Sequence, residues 1–493
     1  MRSLVALAVL ALAACSLAPP YERPATPAPA SFKESPSAGA TWFPAAPADA
    51  LDRGPWWELF GDPVLSSLVS QVQVSNQNVA AAAAAYAQAQ ATVREARATL
   101  FPSLTLNAGA TKNGGGRDAA RPNSFALDLG AAWEPDVWGR LRLAVTSAAE
   151  AAQASAADLA AATLSAQAAL ATNYFALREA DNEIGLLTAA VEAYSKSYKI
   201  TQNQYDAGIV ARTDVLQAQT QLDTTEANRV AMIGQRAKLE HAIALLIGKA
   251  PAEFSLPPGR WEQDVPAIPL VVPSDLLQRR PDIAAAERRV AAANAQIGIQ
   301  RAAYFPSVGL SASVGQGATT LGALFAASSN LWSLGLSIAQ TIFDAGAIAA
   351  RVEAAGAARD QAIANYRQTV LAAFQTVEDQ LSTLHALAEE EGARRAASEA
   401  ADRTEQLTMN QYLQGQIPYT TVVTAQVTAL SARQALSQLT SSRQAAAIAL
   451  LQALGGGWQA PEPSTAGAFT LDRQAAESHV GAGAGVQARV DPE

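Results

Sequence analysis

The chain has 493 residues, of which 115 are alanine and only 16% are charged, and its formal net charge is −9. One cysteine and three histidines exclude a disulfide scaffold and argue against a zinc site, and the lack of a basic surplus argues against nucleic-acid binding. Beyond residue 20 no run of 18 uninterrupted apolar residues occurs, so helical membrane spans are not expected. The composition predicts a long, mainly helical protein without a metal ion, a cofactor or an obvious catalytic centre.

The N terminus has the layout of a secretory signal. A basic residue precedes an apolar core that is too short to span a bilayer as a helix. The run Leu12-Ala13-Ala14-Cys15 resembles a bacterial lipobox, and Ser16, rather than aspartate, resembles sorting to the outer membrane. We therefore predict a signal peptide over 1–14 and a lipidated, proline-rich extension over 15–62 with acyl chains on Cys15. The alternative is an ordinary signal peptide with an accidental cysteine.

Proline separates helical from connecting segments in the rest of the chain. It is concentrated at 19–63 and 251–281 and is missing from 136–250 and 307–417. Because proline disrupts a helix interior, the proline-free stretches predict long helices, and their alanine content favours them. The segment 251–280 is predicted to be an extended linker, and the tail 456–493, rich in glycine and alanine, to be disordered.

The two halves of the chain repeat each other. Arg97-Ala-Thr-Leu-Phe-Pro-Ser103 returns 204 residues later as Arg301-Ala-Ala-Tyr-Phe-Pro-Ser307. Asn203-Gln-Tyr-x-x-Gly208 returns 207 residues later as Asn410-Gln-Tyr-x-x-Gly415. A duplication of this kind predicts two copies of one structural unit, over 63–250 and 281–455.

Each unit is predicted to contain a helix, two strands, a long helix and a further helix. In the first unit we place a helix over 63–100, strands over 103–111 and 123–133, a long helix over 139–206 and a helix over 212–248. In the second we place a helix over 281–304, strands over 307–315 and 330–341, a long helix over 345–412 and a helix over 418–454. The strands are predicted because apolar and polar residues alternate over about 10 residues, the length of a tilted transmembrane strand.

Aromatic residues lie at the ends of the predicted strands, where a transmembrane sheet carries its interfacial girdle. They are Phe101, Trp133, Trp138, Tyr304, Phe305, Trp332 and Phe343. On pattern alone, four half-buried strands of a soluble sheet are the alternative.

Four membrane strands per chain imply an oligomer. Every backbone group that faces lipid must be hydrogen-bonded, so an open sheet edge is not tolerated, and the smallest membrane barrels have about eight strands. Two copies would enclose a lumen filled by side chains, and three copies would leave room for water. Small polar residues between the apolar ones favour a water-filled lumen, and hence three or more copies.

The long helices agree with a large assembly. Each proline-free helix would be about 100 Å long at 1.5 Å per residue. Alanine around the whole circumference predicts close packing on two sides, as in a wall one helix thick. A solvated coiled-coil stalk, the alternative, would carry leucine heptads with flanking charge pairs, and these are largely absent.

These features resemble the TolC-type outer membrane factors, in the lipoprotein branch that serves resistance-nodulation-division efflux pumps. The motifs that carry the resemblance are Cys15-x-x-Ala-Pro-Pro-Tyr-x-Arg-Pro24, Trp56-Trp-x-x-Phe60-x-Asp-Pro63, Arg279-Arg-Pro-Asp-Ile283, the two Phe-Pro-Ser turns and the two Gln-Tyr-x-x-Gly tips. The resemblance implies a homotrimer in the outer membrane, with a 12-stranded β-barrel continued by a long α-helical barrel of 12 helices in the periplasm. It also implies docking to a periplasmic adaptor protein and an inner-membrane pump of that class, and passive export of small molecules.

The resemblance further implies a gate at the periplasmic end, near the Gly208 and Gly415 turns. Thr213 and Asp214 would begin one inner helix, and Thr420 and Thr421 its copy. Family members often carry an acidic ring beyond the second turn, but the corresponding positions here are Thr421 and Thr424, and a basic residue after that turn is replaced by Ile417-Pro418.

Asp214 and Tyr412 are predicted to hold the gate closed. The alternative for Asp214 is simple capping of its helix, because aspartate is a favoured N-cap residue. The alternative for Tyr412 is packing of the turn alone.

Two other functions compete with small-molecule efflux. One is a conduit for type I protein secretion, which the lipobox and the Tyr21-Glu-Arg-Pro24 arm make less favoured. The other is a helical lipoprotein that braces the envelope, which would need no strands. An enzyme is the least expected, because no catalytic grouping recurs and the three histidines are scattered.

Overall fold

The computed structural model describes residues 17–26, 29, 32–34, 56–112, 123–266 and 280–456. The predicted signal peptide, Cys15 and the tail from residue 457 onward lie outside the described residues. Within them, no helix is both long and apolar enough to cross a bilayer.

The described residues of the first repeat form four helices and two strands: α1 (Pro63–Ser75), α2 (Gln77–Ala98), β1 (Ser103–Thr111), β2 (Ser124–Trp133), α3 (Arg140–Asp206) and α4 (Arg212–Leu246). The second contains α5 (Pro281–Arg301), β3 (Ser307–Ala318), β4 (Asn330–Ala339), α6 (Ala347–Leu413) and α7 (Tyr419–Ala453). Short 3₁₀ turns lie at Trp56–Phe60, Pro251–Glu253, Ala302–Tyr304, Leu321–Ala323 and Ala327–Ser329. Strand β3 runs three residues beyond its predicted end, because its last residues pair with β2, and β4 stops two residues before its predicted end.

The prediction of one helix over 63–100 is wrong, because the chain breaks at Asn76. This residue has an extended backbone, and its side-chain oxygen caps α2 by accepting hydrogen bonds from the amides of Asn78 and Val79 at 2.9 and 3.1 Å. Its side-chain amide donates to the carbonyl of Leu246 at 2.7 Å. The break is therefore fixed both by this local cap and by the contact with the end of α4.

The four strands form one antiparallel sheet in the order β1-β2-β3-β4. The register aligns apolar residues with apolar residues, as in the pairs Leu106–Leu129, Leu129–Val314 and Ala312–Leu334. It also aligns small or polar residues on the opposite face, where Asn107 donates to Asp128 at 3.0 Å. The sheet thus has one apolar face and one polar face.

The helices form a wall whose order follows the sheet. On the side near the sheet, α3 packs between α2 and α5, and α6 packs on α5, which repeats the strand order. Charged pairs join α3 to α5, including Arg288 to Glu150 at 3.0 Å. Towards the opposite end, α3 packs between α4 and α7, and α6 packs on α7. Each long helix therefore belongs to both levels of the wall.

Two connecting segments, here called the belt, pack against the middle of α3. The segments around Trp56–Phe60 and 254–265 pack with α1 against α3, α4 and α7 in the main apolar cluster. Asp62 caps α1 and accepts a hydrogen bond from the Tyr174 hydroxyl at 2.5 Å. Arg178 and Arg236 both bind Asp181, and both also donate to linker carbonyls. This buried network attaches the belt to α3 and α4.

Candidate functional site

The apolar face of the sheet is exposed in the single chain. The exposed fractions are 70% for Leu104, 71% for Leu106 and 77% for Leu334, and no helix covers them among the described residues. A soluble half-buried sheet would bury this face, so the exposed leucines favour contact with lipid.

Six of the seven predicted girdle aromatics lie at the helix-side end of the sheet, and Trp332 lies towards the other end. Trp133 donates its indole N–H to the carbonyl of Leu100 at 3.0 Å, and Trp138 donates to the carbonyl of Pro306 at 2.7 Å. The Trp138 ring also stacks on Phe305, with the ring centroids 4.8 Å apart. These aromatic side chains therefore stabilise the junction between strands and helices.

The far end of the wall consists of two helical hairpin tips. Gly208 and Gly415 each follow a long helix with positive φ angles of 77° and 74°. The amide of Ile209 donates to the carbonyl of Gln204, and the amide of Gln416 donates to that of Gln411, at 2.8 and 3.0 Å. This pattern is a Schellman ending, which requires a left-handed residue and so favours glycine.

Tyr412 is the centre of a buried cluster beside the second tip. It is 5% exposed, whereas Tyr205, its equivalent in the first repeat, is 37% exposed. The Tyr412 hydroxyl donates to the side-chain oxygen of Gln204 at 2.6 Å and lies 3.3 Å from the hydroxyl of Thr201. The Tyr412 ring packs on Tyr419, with the centroids 5.1 Å apart. Tyr412 therefore links α6 to both α3 and α7.

Asp214 lies in the first turn of α4, near this cluster. The helix begins at Arg212 and its N-cap residue is Ala211, so the alternative that Asp214 is the N-cap is wrong. Its carboxylate stabilises the helix N-terminus through the helix dipole. Burial raises the pKa of the Tyr412 hydroxyl, and the negative charge of Asp214 adds to that increase.

The predicted threonines lie on the exposed side of the tips. Thr213, Thr420, Thr421 and Thr424 are all exposed. Thr424 donates its hydroxyl to the carbonyl of Thr420 at 3.0 Å, so it satisfies its hydrogen bond within the helix. The structure does not bring these threonines into the Tyr412 cluster.

Sequence reasoning missed Thr201, Gln204 and Tyr419. Tyr419 is 1% exposed, and burial raises its pKa to about 12. The sequence does carry a signal for Tyr419, because the two repeats differ at this position: the first repeat has Arg212 where the second has Tyr419. An apolar ring at that position in only one tip indicates that the two tips are not interchangeable.

An incomplete membrane sheet that continues into a long helical wall defines a class of protein: a channel that crosses the outer membrane and extends away from it. The sequence matches the outer membrane efflux protein family over residues 68–249 and 272–456. The chain belongs to this family and is an outer membrane efflux channel.

The similar proteins agree with the family. The chain is 31% identical over 473 residues to the toluene efflux pump outer membrane protein TtgC of Pseudomonas putida. The aligned region covers 93% of this chain and 96% of that protein. It is 30% identical to the cation efflux system protein CusC of Escherichia coli, over 91% of this chain and 97% of that protein. The structure of the outer membrane channel OprN superposes with a TM-score of 0.79 at 31% identity, covering 91% of this chain and all of that one. The predicted fold class and the outer membrane location are confirmed.

Proposed function

We propose that three copies of the chain form a passive conduit that carries small molecules from a pump and its adaptor to the cell exterior. The observation that carries this proposal is the sheet, which has an exposed apolar face and two strands, β1 and β4, at its edges. In lipid these edges must find partners, and a ring of 12 strands provides them with a lumen wide enough for water. The conduit carries out no reaction, and the pump supplies the energy.

The adaptor and the inner-membrane pump are the proposed partners because a channel of the outer membrane alone has no access to an energy source. The long helices support this arrangement, since 67 residues of α3 extend about 100 Å from the sheet at 1.5 Å per residue. That reach would bring the hairpin tips deep into the periplasm, where an adaptor binds.

Cys15 is the proposed lipid-attachment site. The described arm from residue 17 onward lies along α5, where Asn294 donates to the carbonyl of Pro19 at 2.8 Å and Arg301 to that of Leu17 at 3.5 Å. Arg301 ends α5 at the sheet side, next to the girdle aromatics. Acyl chains two residues before Leu17 would therefore be near the membrane surface. A Cys15→Ser variant should lose the acyl mass of the mature protein by mass spectrometry, and an unchanged mass would contradict the assignment.

The Tyr412 cluster is the proposed gate latch, with Asp214 as its charged neighbour. Tyr412→Phe keeps the ring but removes the hydroxyl that joins α6 to α3, at a cost of about 1 kcal/mol per hydrogen bond. In planar bilayers we expect a higher resting conductance for Tyr412→Phe and for Asp214→Ala than for the native channel. Tyr205→Phe is the matched control at the equivalent exposed position. Resting conductance equal to that of the control would contradict the latch.

The proposed substrates are small organic compounds, because the similar proteins include channels named for toluene, solvent and antibiotic efflux. Deletion of the gene should lower tolerance to solvents and antibiotics, and re-expression should restore it. A relative named for cation efflux makes metal ions the second candidate class. Lost tolerance to cations alone would favour that class, and a defect in protein secretion alone would favour the type I conduit.

A further inference from the structure

Asp128 is the only residue with a charged side chain in the four strands that the structure describes. It lies on β2, five residues before Trp133 at the helix-side end of the sheet. At about 3.3 Å per residue along a tilted strand, this position is roughly 12 Å beyond Trp133 and inside the span of the membrane. An ionisable group at that depth is costly unless it faces water or a partner, and such groups in membrane proteins commonly have a function.

The side chain of Asp128 lies on the polar face of the sheet, between Asn107 on β1 and Gly315 on β3. The Asn107 amide donates to the Asp128 carboxylate at 3.0 Å. On the other side, a Cβ on Gly315 would lie 2.6 Å from the Cβ of Asp128, so a larger residue would crowd it. One neighbour therefore orients the carboxylate, and the other leaves space beside it.

The polar face is the concave side of the sheet at its helix-side end. An open cavity lies there between the end of α2 and the strands, and Glu95 of α2 lines it. Of the seven strand residues that line this cavity, five belong to the polar face, namely Ser103, Ala132, Gly309, Ser311 and Ser337. Closure of the sheet into a barrel would enclose this side. Asp128 would then face the lumen rather than the lipid.

The second repeat has no counterpart of this charge. Phe125-Ala-Leu-Asp-Leu129 of β2 corresponds to Trp332-Ser-Leu-Gly-Leu336 of β4, so Gly335 stands at the position equivalent to Asp128. In the ladder, Gly335 pairs with Ser311, as Asp128 pairs with Asn107. Each chain thus contributes one carboxylate, and a ring of three copies would hold three of them at one level of the lumen.

We propose that Asp128 sets the charge preference of the conduit, favouring cationic and neutral molecules over anionic ones. This inference rests on the proposed ring of three copies. With strands about 4.8 Å apart and tilted by about 40°, 12 strands form a barrel of about 12 Å radius. Each carboxylate then lies about 9 Å from the axis, close to the Debye length of about 8 Å at physiological salt. The field of the three carboxylates therefore reaches the axis of the lumen.

The native channel should show a charge preference that depends on salt. The Debye length is about 30 Å at 0.01 M salt and about 3 Å at 1 M, so the carboxylates act across the lumen only in dilute salt. The measurement is the reversal potential of the full-length channel in planar bilayers under a tenfold gradient of potassium chloride. We expect a preference for potassium in dilute solutions that declines as both solutions are made more concentrated.

Asp128→Asn tests the residue itself, because the amide keeps the shape of the side chain while removing its charge. Its reversal potential in dilute salt should move towards zero, and that of Asp128→Lys should move further, towards a preference for chloride. Adding Ala126→Asp to Asp128→Asn should restore the preference for potassium, because Ala126 lies on the same face two residues away. A carboxylate needed only for its hydrogen bond to Asn107 would not be replaced in this way.

Glu95→Gln is the matched control, since it removes the other carboxylate that borders the cavity. An unchanged reversal potential in Asp128→Asn, or a larger loss of preference in Glu95→Gln, would overturn the inference while leaving the conduit intact. If Asp128→Asn does not assemble, the salt series of the native channel still decides, and a reversal potential near zero in dilute salt would overturn the inference. A monomeric mass, or a trimer that never conducts, would instead contradict the proposed function.

Discussion

Glu179 is a carboxyl group that α3 holds against α7 in an environment unfavourable to charge. The hydroxyl of Ser437 lies 3.4 Å from it and donates weakly, and Glu183 lies one turn further along the helix. Burial raises the pKa of Glu179 to about 7, and the negative charge of Glu183 adds to the increase. The folded protein therefore binds a proton at Glu179 more tightly than the unfolded chain does.

A raised carboxyl pKa makes stability depend on pH. The contribution of Glu179 to the stability of the folded protein is fully present below the ordinary carboxyl pKa of 4.5. It is lost as the pH rises through about 7. Glu179→Gln should therefore be more stable than the native protein at pH 8, by about 1 kcal/mol after allowance for partial solvent exposure, and equal to it near pH 4.5. Thermal unfolding at both pH values measures the difference. Glu192→Gln, an exposed position on the same helix, is the control, and a gain independent of pH would contradict the account.

The N-terminal arm packs closely against Gly298 on α5. An added Cβ would lie 2.8 Å from the Cα of Ala18 and 2.6 Å from the side chain of Leu143. Alanine in a helix is ordinarily favoured over glycine by about 1 kcal/mol, but here the crowding should reverse the sign. We expect Gly298→Ala to lower the melting temperature and Gly392→Ala, which meets open space in α6, to raise it. A higher melting temperature in both variants would show that the arm does not pack against Gly298.

At the level of elements, the belt depends on one shared carboxylate. Asp181 pairs with Arg178 at 3.1 Å and with Arg236 at 2.5 Å, and all three side chains are mostly or wholly buried. Asp181→Ala would leave both cations without this partner, and such losses cost about 3–5 kcal/mol. We expect a lower urea midpoint and faster proteolysis of the linker 254–265. Glu226→Ala, which breaks the exposed pair with Arg229, should change neither.

The strands were the elements that the sequence predicted best, because a strict alternation of apolar and polar residues over eight or more positions indicates a strand. The positions of Leu104, Leu129 and Leu334 on one face follow from that alternation. The break at Asn76 has a local signal, since asparagine is a favoured N-cap residue, but its contact with Leu246, 170 positions away, cannot be seen in the sequence. The glycines at the tips were predictable from the repeat. The partners of Tyr412 on α3 were not, because they depend on how the hairpins pack.

At the scale of the whole molecule, the proposed ring requires that one chain supply only part of a closed surface. The order α2, α3, α5 and α6 beside the sheet matches the order of the four strands, so both layers end at the same two edges. Closing the strands closes the helices as well. The number of copies does not follow from the strands alone, since two or more could close a ring; a water-filled lumen requires at least three.

The most direct test of this account is the native mass of the protein extracted from outer membranes in mild detergent, measured together with its conductance in planar bilayers. The account predicts a single species of three copies that conducts, and no conductance from any lone subunit. A lone subunit that spans the bilayer and conducts would contradict it.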